Sequence, residues 1–198
     1  MGQEHDPKAC GALISFADSY KLVLNEIRQA LDLVDPAQVE ALVEAIRSAD
    51  RVFVIGVGRV MLSLQALAKR LNHLGIETYC VGDTNEPAIT PRDLLLVGSG
   101  SGESIIPVAI AKVAKKCGAR VAHVGSNSHS SLAPFTDVFV RIPVQTKLRL
   151  SDELQSQQVM TSLFEQSLYL LGDAVALMVV RRCGLDLQDL WQHHANLE

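Results

Sequence analysis

The residues most able to do chemistry here begin with a run of alternating Gly and Ser. An apolar segment, Leu95-Leu96-Val97, is followed by Gly98-Ser99-Gly100-Ser101-Gly102-Glu103-Ser104, and a helical pattern then runs from Ile105 to Lys116. A buried strand that ends in glycines and opens directly into a helix makes an anion site. Gly100 and Gly102 allow positive φ and a close approach of the backbone to a ligand. The first turn of the helix offers unpaired N–H groups, and its dipole favours negative charge there. The hydroxyls of Ser99, Ser101 and Ser104 add donors around the same point. The natural guest is a phosphate, and such a loop needs no Lys to hold it. A Ser/Gly-rich surface turn is the plainer alternative.

Glu165 is the second candidate. It stands in an otherwise apolar segment, one helical turn beyond Thr161. Burial there would lift its pKa towards the range useful for proton transfer, whereas an ordinary helix-surface Glu would do nothing of the kind. The histidines come third. His73 falls near the end of a helix, where a core or surface role competes with a chemical one, and His193 and His194 lie with Asn196 in a terminal tail. No HExxH or comparable ligand spacing is present, so no metal site is expected. Gly56-Val57-Gly58-Arg59-Val60-Met61 invites a dinucleotide reading, but Met61 stands where the third glycine belongs. There is no Walker pattern.

These groups need a scaffold, and the hydrophobic pattern supplies one. Apolar positions recur at helical spacing from Phe16 to Leu33, and Asp35-Pro36 then caps a second amphipathic helix that ends near Ser48. Val52-Phe53-Val54-Ile55 is continuously apolar and β-branched, as expected of a strand covered on both faces. A helix follows Gly58 and closes at Gly75. Further strands are expected at Thr78–Val81, Asp93–Val97, Arg120–Val124 and Val138–Ile142, with a loop from Thr84 to Arg92. Strands alternating with helices imply right-handed βαβ units and a parallel sheet, whose ligands sit at the carboxyl ends of the strands. The loops at 56–58 and 98–102 share that edge. A long helix is expected from about Gln155 to Arg182, ended by Gly184. It is apolar nearly all round, so it is expected to be buried either inside the domain or against another subunit, and a subunit interface is favoured. A last short helix starts near Leu187.

The chain has 198 residues, is 48% hydrophobic and carries a formal net charge of −4, which suits one α/β domain and gives no support for nucleic acid or an anionic membrane as partner. Any anion must therefore be held by local structure. No window approaches 18 uninterrupted apolar residues, and the polar N-terminus, read as weakly ordered to about residue 12, is unlike a signal peptide. Cys10, Cys80, Cys117 and Cys183 are scattered, in keeping with reduced thiols in a cytoplasmic protein. Neither repeats nor a second domain is visible. The expected organisation is a single domain, with helices at 1–49, a sheet core at 50–145, and helices and tail at 150–198.

The two loops, in this order and at this spacing, resemble the sugar isomerase (SIS) domain. More narrowly, Arg70-Leu71-Asn72-His73-Leu74-Gly75, Val81-Gly82-Asp83-Thr84, the Ser-Gly loop, Leu163-Phe164-Glu165 and His194-Ala195-Asn196-Leu197 resemble the 6-phospho-3-hexuloisomerase family over nearly the whole chain. The resemblance implies a flavodoxin-like three-layer sandwich with a five-stranded parallel sheet. It implies an isomerase that moves the carbonyl of a hexulose 6-phosphate between C3 and C2 without metal or organic cofactor, in a homotetramer (a dimer of dimers) with sites at subunit boundaries. By the same resemblance Ser99, Gly100, Ser101, Gly102 and Ser104 would hold the phosphate, and Gly58, Arg59, Asp83 and Thr84 would touch the sugar. Glu165 would be the base, assisted by His73 or His194. The chain departs from the family at Val60-Met61, where relatives have Ser-Gly, and at Thr161-Ser162, where they have Gly-Thr. An isomerase of another sugar phosphate, such as arabinose 5-phosphate, and a non-catalytic SIS module that senses a sugar phosphate are the alternatives.

Overall fold

A computed structural model describes residues 14–194; the expectation for residues 1–12, and the tail beyond His194, lie outside them. Two helices come first, α1 (Phe16–Asp32) and α2 (Pro36–Ser48). Ser15 caps α1 by accepting from the Asp18 N–H, and Asp35 caps α2 by accepting from Ala37, with Pro36 at the first helical position. The remainder alternates: β1 (Val52–Ile55), α3 (Arg59–His73), β2 (Thr78–Cys80), β3 (Leu94–Gly98), α4 (Ile105–Lys116), β4 (Arg120–Gly125), β5 (Val138–Arg141) and α5 (Ser162–Cys183). Short 3-10 turns lie at Ala133–Phe135 and Asp189–His193.

All strand pairs are parallel, in the order β2-β1-β3-β4-β5. Alternate residues of each strand serve opposite faces. Val52, Val54, Leu94, Leu96, Ala122 and Val124 join a core with α1, α2, α3 and α5, whereas Phe53, Ile55, Leu95, Val97 and Val121 face α4 and the first 3-10 turn. The result is the expected three-layer sandwich, thicker on one side.

α5 differs from expectation at its start. It begins at Ser162 rather than near Gln155, because Ser156, Gln157 and Gln158 give donors to Glu26, and the Ser156 N–H to Gln145, in place of helical hydrogen bonds. Much of its apolar circumference is covered within the chain by α1, α2 and α3, which makes it the central helix of the thicker layer, while Tyr169, Leu170 and Leu177 stay exposed on its remaining face. By length and composition it would also pass for a membrane span, but 61% of that stretch is buried inside the domain. Cys80, Cys117 and Cys183 are free thiols.

Candidate active site

The strand order reverses between β1 and β3, which leave the sheet side by side and turn to helices lying on opposite faces. A crevice opens at such a switch point, beyond the carboxyl ends of the strands. Here it is a cleft of about 510 Å³. Both glycine-bearing loops line it, and so do the starts of α3 (Gly58, Arg59), α4 (Ser104) and α5 (Thr161, Ser162). Three helix N-termini therefore converge on one space, which favours an anion even in a chain of net negative charge.

The Ser-Gly loop is held from below. Ser99 Oγ accepts from the Gly102 N–H at 3.1 Å, and the Gly100 carbonyl accepts from the Ser126 and Asn127 N–H groups at 2.9 and 3.2 Å. Asn127 Nδ2 donates to the Ser101 carbonyl at 3.2 Å. Gly102 has φ +68°, and a Cβ there would overlap the Ser130 side chain. Ser104 caps α4 by position only; its hydroxyl makes no capping hydrogen bond. Ser99, Gly100, Ser101 and Ser104 reach the cleft, whereas Gly102 shapes the turn behind them.

His123, which the sequence reading passed over, lies under this loop in the middle of β4. It is 1% exposed, and its ring tilts against Phe139 with centroids 5.1 Å apart. Nε2–H donates to the Ser99 carbonyl at 2.9 Å; a carbonyl only accepts, so Nε2 carries the proton. Burial pushes the imidazole pKa down to about 4, with the Ser99 bond acting in the opposite direction, so the ring is neutral at pH 7. A histidine inside the apolar run Arg120–Gly125 was the available signal.

Glu165 occupies the first turn of α5 on the opposite wall. The carboxylate is not in the apolar shell that burial alone suggested. Arg59 donates Nε–H to Oε2 in an ion pair, and the Thr161 hydroxyl donates to Oε1 at 2.8 Å. The Ser63 hydroxyl donates to the Glu165 carbonyl at 2.9 Å, tying α5 to α3. Glu165 is the only carboxylate lining the cleft among the described residues. Val60 also reaches the cleft, and its methyl group lies where a Cβ on Gly98 would go.

Four expected site residues lie elsewhere in the chain. Asp83 follows β2, the edge strand, and lines a separate hollow with Lys69, Asn72 and Cys80, while Thr84 continues that loop. The cleft belongs to β1 and β3, so a loop one strand further out does not join it. His73 and His194 meet each other instead, with ring centroids 5.3 Å apart, in a hollow with Arg70 and Trp191. They sit at the C-terminal end of α3. Arg59 begins that helix and His73 ends it, so about 21 Å of helix separates them.

The last wall comes from the long connection between β5 and α5, which contributes Thr146, Lys147, Val159 and Met160. None of the four figured in the sequence reading as a site residue, because irregular backbone leaves no periodic trace. Two buried carboxylates that have no cationic partner among the described residues mould it. Glu153 accepts from the Ser126 hydroxyl, the Thr146 hydroxyl and N–H, and the Leu150 N–H at 2.9–3.1 Å. Glu26, on α1, accepts from the Ser156 hydroxyl, the Gln157 N–H and Gln158 Nε2. Burial raises the Glu26 carboxyl pKa, and these hydrogen bonds outweigh it, leaving the group below its ordinary value.

A parallel sheet with an anion loop and one carboxylate at its switch point is the site of a SIS domain, and the chain belongs to that family: the SIS domain model matches residues 45–170. The relatives are narrower than the family. A protein of Mycobacterium gastri named 3-hexulose-6-phosphate isomerase is 41% identical over 181 residues, covering 91% of this chain and 90% of its own. A protein of the same name from Bacillus subtilis is 35% identical over 176 residues, covering 89% and 95%. Among solved structures, a Methanococcus jannaschii protein inferred to be a 3-hexulose-6-phosphate isomerase superposes with a TM-score of 0.78 at 27% identity, covering 91% of this chain and 99% of that one.

Proposed function

We propose that this protein is a sugar-phosphate isomerase that interconverts 3-hexulose 6-phosphate and fructose 6-phosphate. The observation that carries the reading is one cleft with a donor-rich anion loop on one wall and a single carboxylate, Glu165, on the other. Relatives named for this activity at 35–41% identity support the choice of substrate.

The carbonyl shift is balanced within the sugar. Glu165 takes the proton from C2, the electron pair forms the C2–C3 double bond, and O3 gains a proton to give the 2,3-enediol. Loss of the O2 proton then makes the C2 carbonyl while C3 is reprotonated. No external oxidant or reductant enters, and no cofactor is assigned. Arg59 brings positive charge beside the base, where negative charge develops on the enediolate oxygens. Ser99, Ser101 and Ser104, with the backbone at Gly100, hold the phosphate and fix the carbons against Glu165. Gly58, with φ +58°, turns the chain into α3.

From the family resemblance we extend the proposal to a cytoplasmic homotetramer with a small sugar phosphate as its ligand, and with neither nucleic acid nor membrane as partner. His73 and His194 of one copy then serve the cleft of a neighbour; in support, they stack together at the end of α3 remote from their own cleft.

The test is a coupled assay in which a synthase makes hexulose 6-phosphate from ribulose 5-phosphate and formaldehyde, and fructose 6-phosphate is read through NADPH formation. Glu165→Gln is expected to lower kcat by about 10²–10⁴-fold while fructose 6-phosphate still binds. Turnover retained by that variant would remove Glu165 as the base. A wild-type protein that binds the sugar phosphate without turning it over would mean a sensor.

A further inference from the structure

The Ser-Gly loop offers only neutral donors, yet its proposed guest is a dianion. The connection that closes the cleft carries a cation. Thr146 packs against the loop, its methyl carbon 3.2 Å from where a Cβ on Gly100 would stand. Lys147 follows at once and lines the cleft with Ser101 and Ser104. Its ammonium has no carboxylate within 4 Å among the described residues. Lys147 therefore lines the cleft directly after the residue that packs on the Ser-Gly loop.

We propose that Lys147 binds the substrate phosphate, and that Glu153 is the positioning residue that sets Lys147 over the Ser-Gly loop. The proposal rests on the sugar-phosphate reading of the cleft. Glu103, at the end of the same loop, agrees with this placement. Two hydrogen bonds from Ser131 hold its carboxyl below the ordinary value, and the charge of Lys147 adds a smaller effect in the same direction.

Glu153 is 5% exposed and takes four hydrogen bonds, three from the turn at 146–150 and one from Ser126 just past β4. A carboxylate so surrounded has only donors facing it, so its place in this network is as a fixed acceptor. It locks the turn carrying Lys147 to the segment that also holds the Gly100 carbonyl, since Ser126 N–H donates to that carbonyl. Loop and lysine thus share one anchor. Arg149, with φ +51°, lies within the same turn, a left-handed conformation that the anchored backbone maintains.

The experiment compares Lys147→Gln, Glu153→Gln and the double variant. Lys147 is exposed, so its substitution leaves the fold intact. Removing a charged hydrogen-bonding partner is expected to raise KM for fructose 6-phosphate by roughly 10–100-fold, with kcat changed by less than about threefold. Binding of inorganic phosphate, measured by calorimetry without turnover, should weaken by a similar factor and lose part of its salt dependence. Glu153→Gln should raise KM alone, and it should add little in the Lys147→Gln background. Unchanged phosphate affinity in Lys147→Gln, or a fall in kcat without a rise in KM, would overturn the assignment of Lys147. Independent, multiplying effects of the two substitutions would overturn the role of Glu153. A wild-type protein that binds phosphate but makes no fructose 6-phosphate refutes the isomerase reading and leaves the phosphate contact to be judged on the binding data.

Discussion

His123 makes the stability of this protein depend on pH in a way that can be worked out beforehand. In the folded chain its pKa lies at about 4, against 6.5 for a free imidazole. The unfolded chain therefore binds a proton near pH 6.5 that the folded chain refuses until about pH 4. Stability from this group is fully present above pH 6.5 and is lost as the pH falls towards 4; the whole window is worth about 3 kcal/mol. Between pH 7 and pH 5 the loss is about 2 kcal/mol. The comparison to make is with His123→Gln, whose side-chain N–H can still donate to the Ser99 carbonyl but does not titrate. Denaturant unfolding at half-unit steps from pH 7 to pH 5 gives both free energies, and their difference cancels every other titrating group. Wild type should lose about 2 kcal/mol relative to the variant over that range. A difference that stays flat would show that the ring titrates alike in the two states, and the argument from burial would fail.

Two further outcomes are expected. Gly102→Ala places a Cβ at φ +68° and into Ser130, and should destabilise the protein by about 2–4 kcal/mol in denaturant unfolding; adding Ser130→Gly should restore all but the roughly 1–2 kcal/mol due to φ. If His73 and His194 serve a neighbour's cleft, inactive Glu165→Gln and inactive His194→Ala chains, mixed and reassembled, should recover activity. No recovery would keep each histidine with its own chain.

The sheet was legible because each strand is a short apolar run bounded by turn residues, as at Val52–Ile55 and Leu94–Gly98. The Ser-Gly loop was legible because its chemistry is local, and Glu165 because a carboxylate in an apolar segment stands out. What was not legible depends on contacts distant in sequence. Residues 155–161 read as helix, but Glu26 captures their donors. Asp83 and Thr84 have suitable side chains, and only the strand order puts them outside the cleft. His73 sits on a helix that touches the cleft at its other end. The all-round apolarity of α5 predicted burial, but periodicity is blind to which surface does the covering: α1, α2 and α3 take much of it, and Tyr169, Leu170 and Leu177 are left exposed.

The hydrogen bonds that Glu26 accepts span 130 to 132 residues of chain. The first helix therefore completes a wall of the cleft that the chain reaches only just before its last long helix. Contacts of such separation carry a high loop-closure cost and form after local ones. On refolding, secondary structure should return before catalytic competence, and on synthesis α1 must wait for almost the whole chain to emerge before it meets its partner. Helices and sheet can thus be in place in a molecule whose cleft is still open on one side.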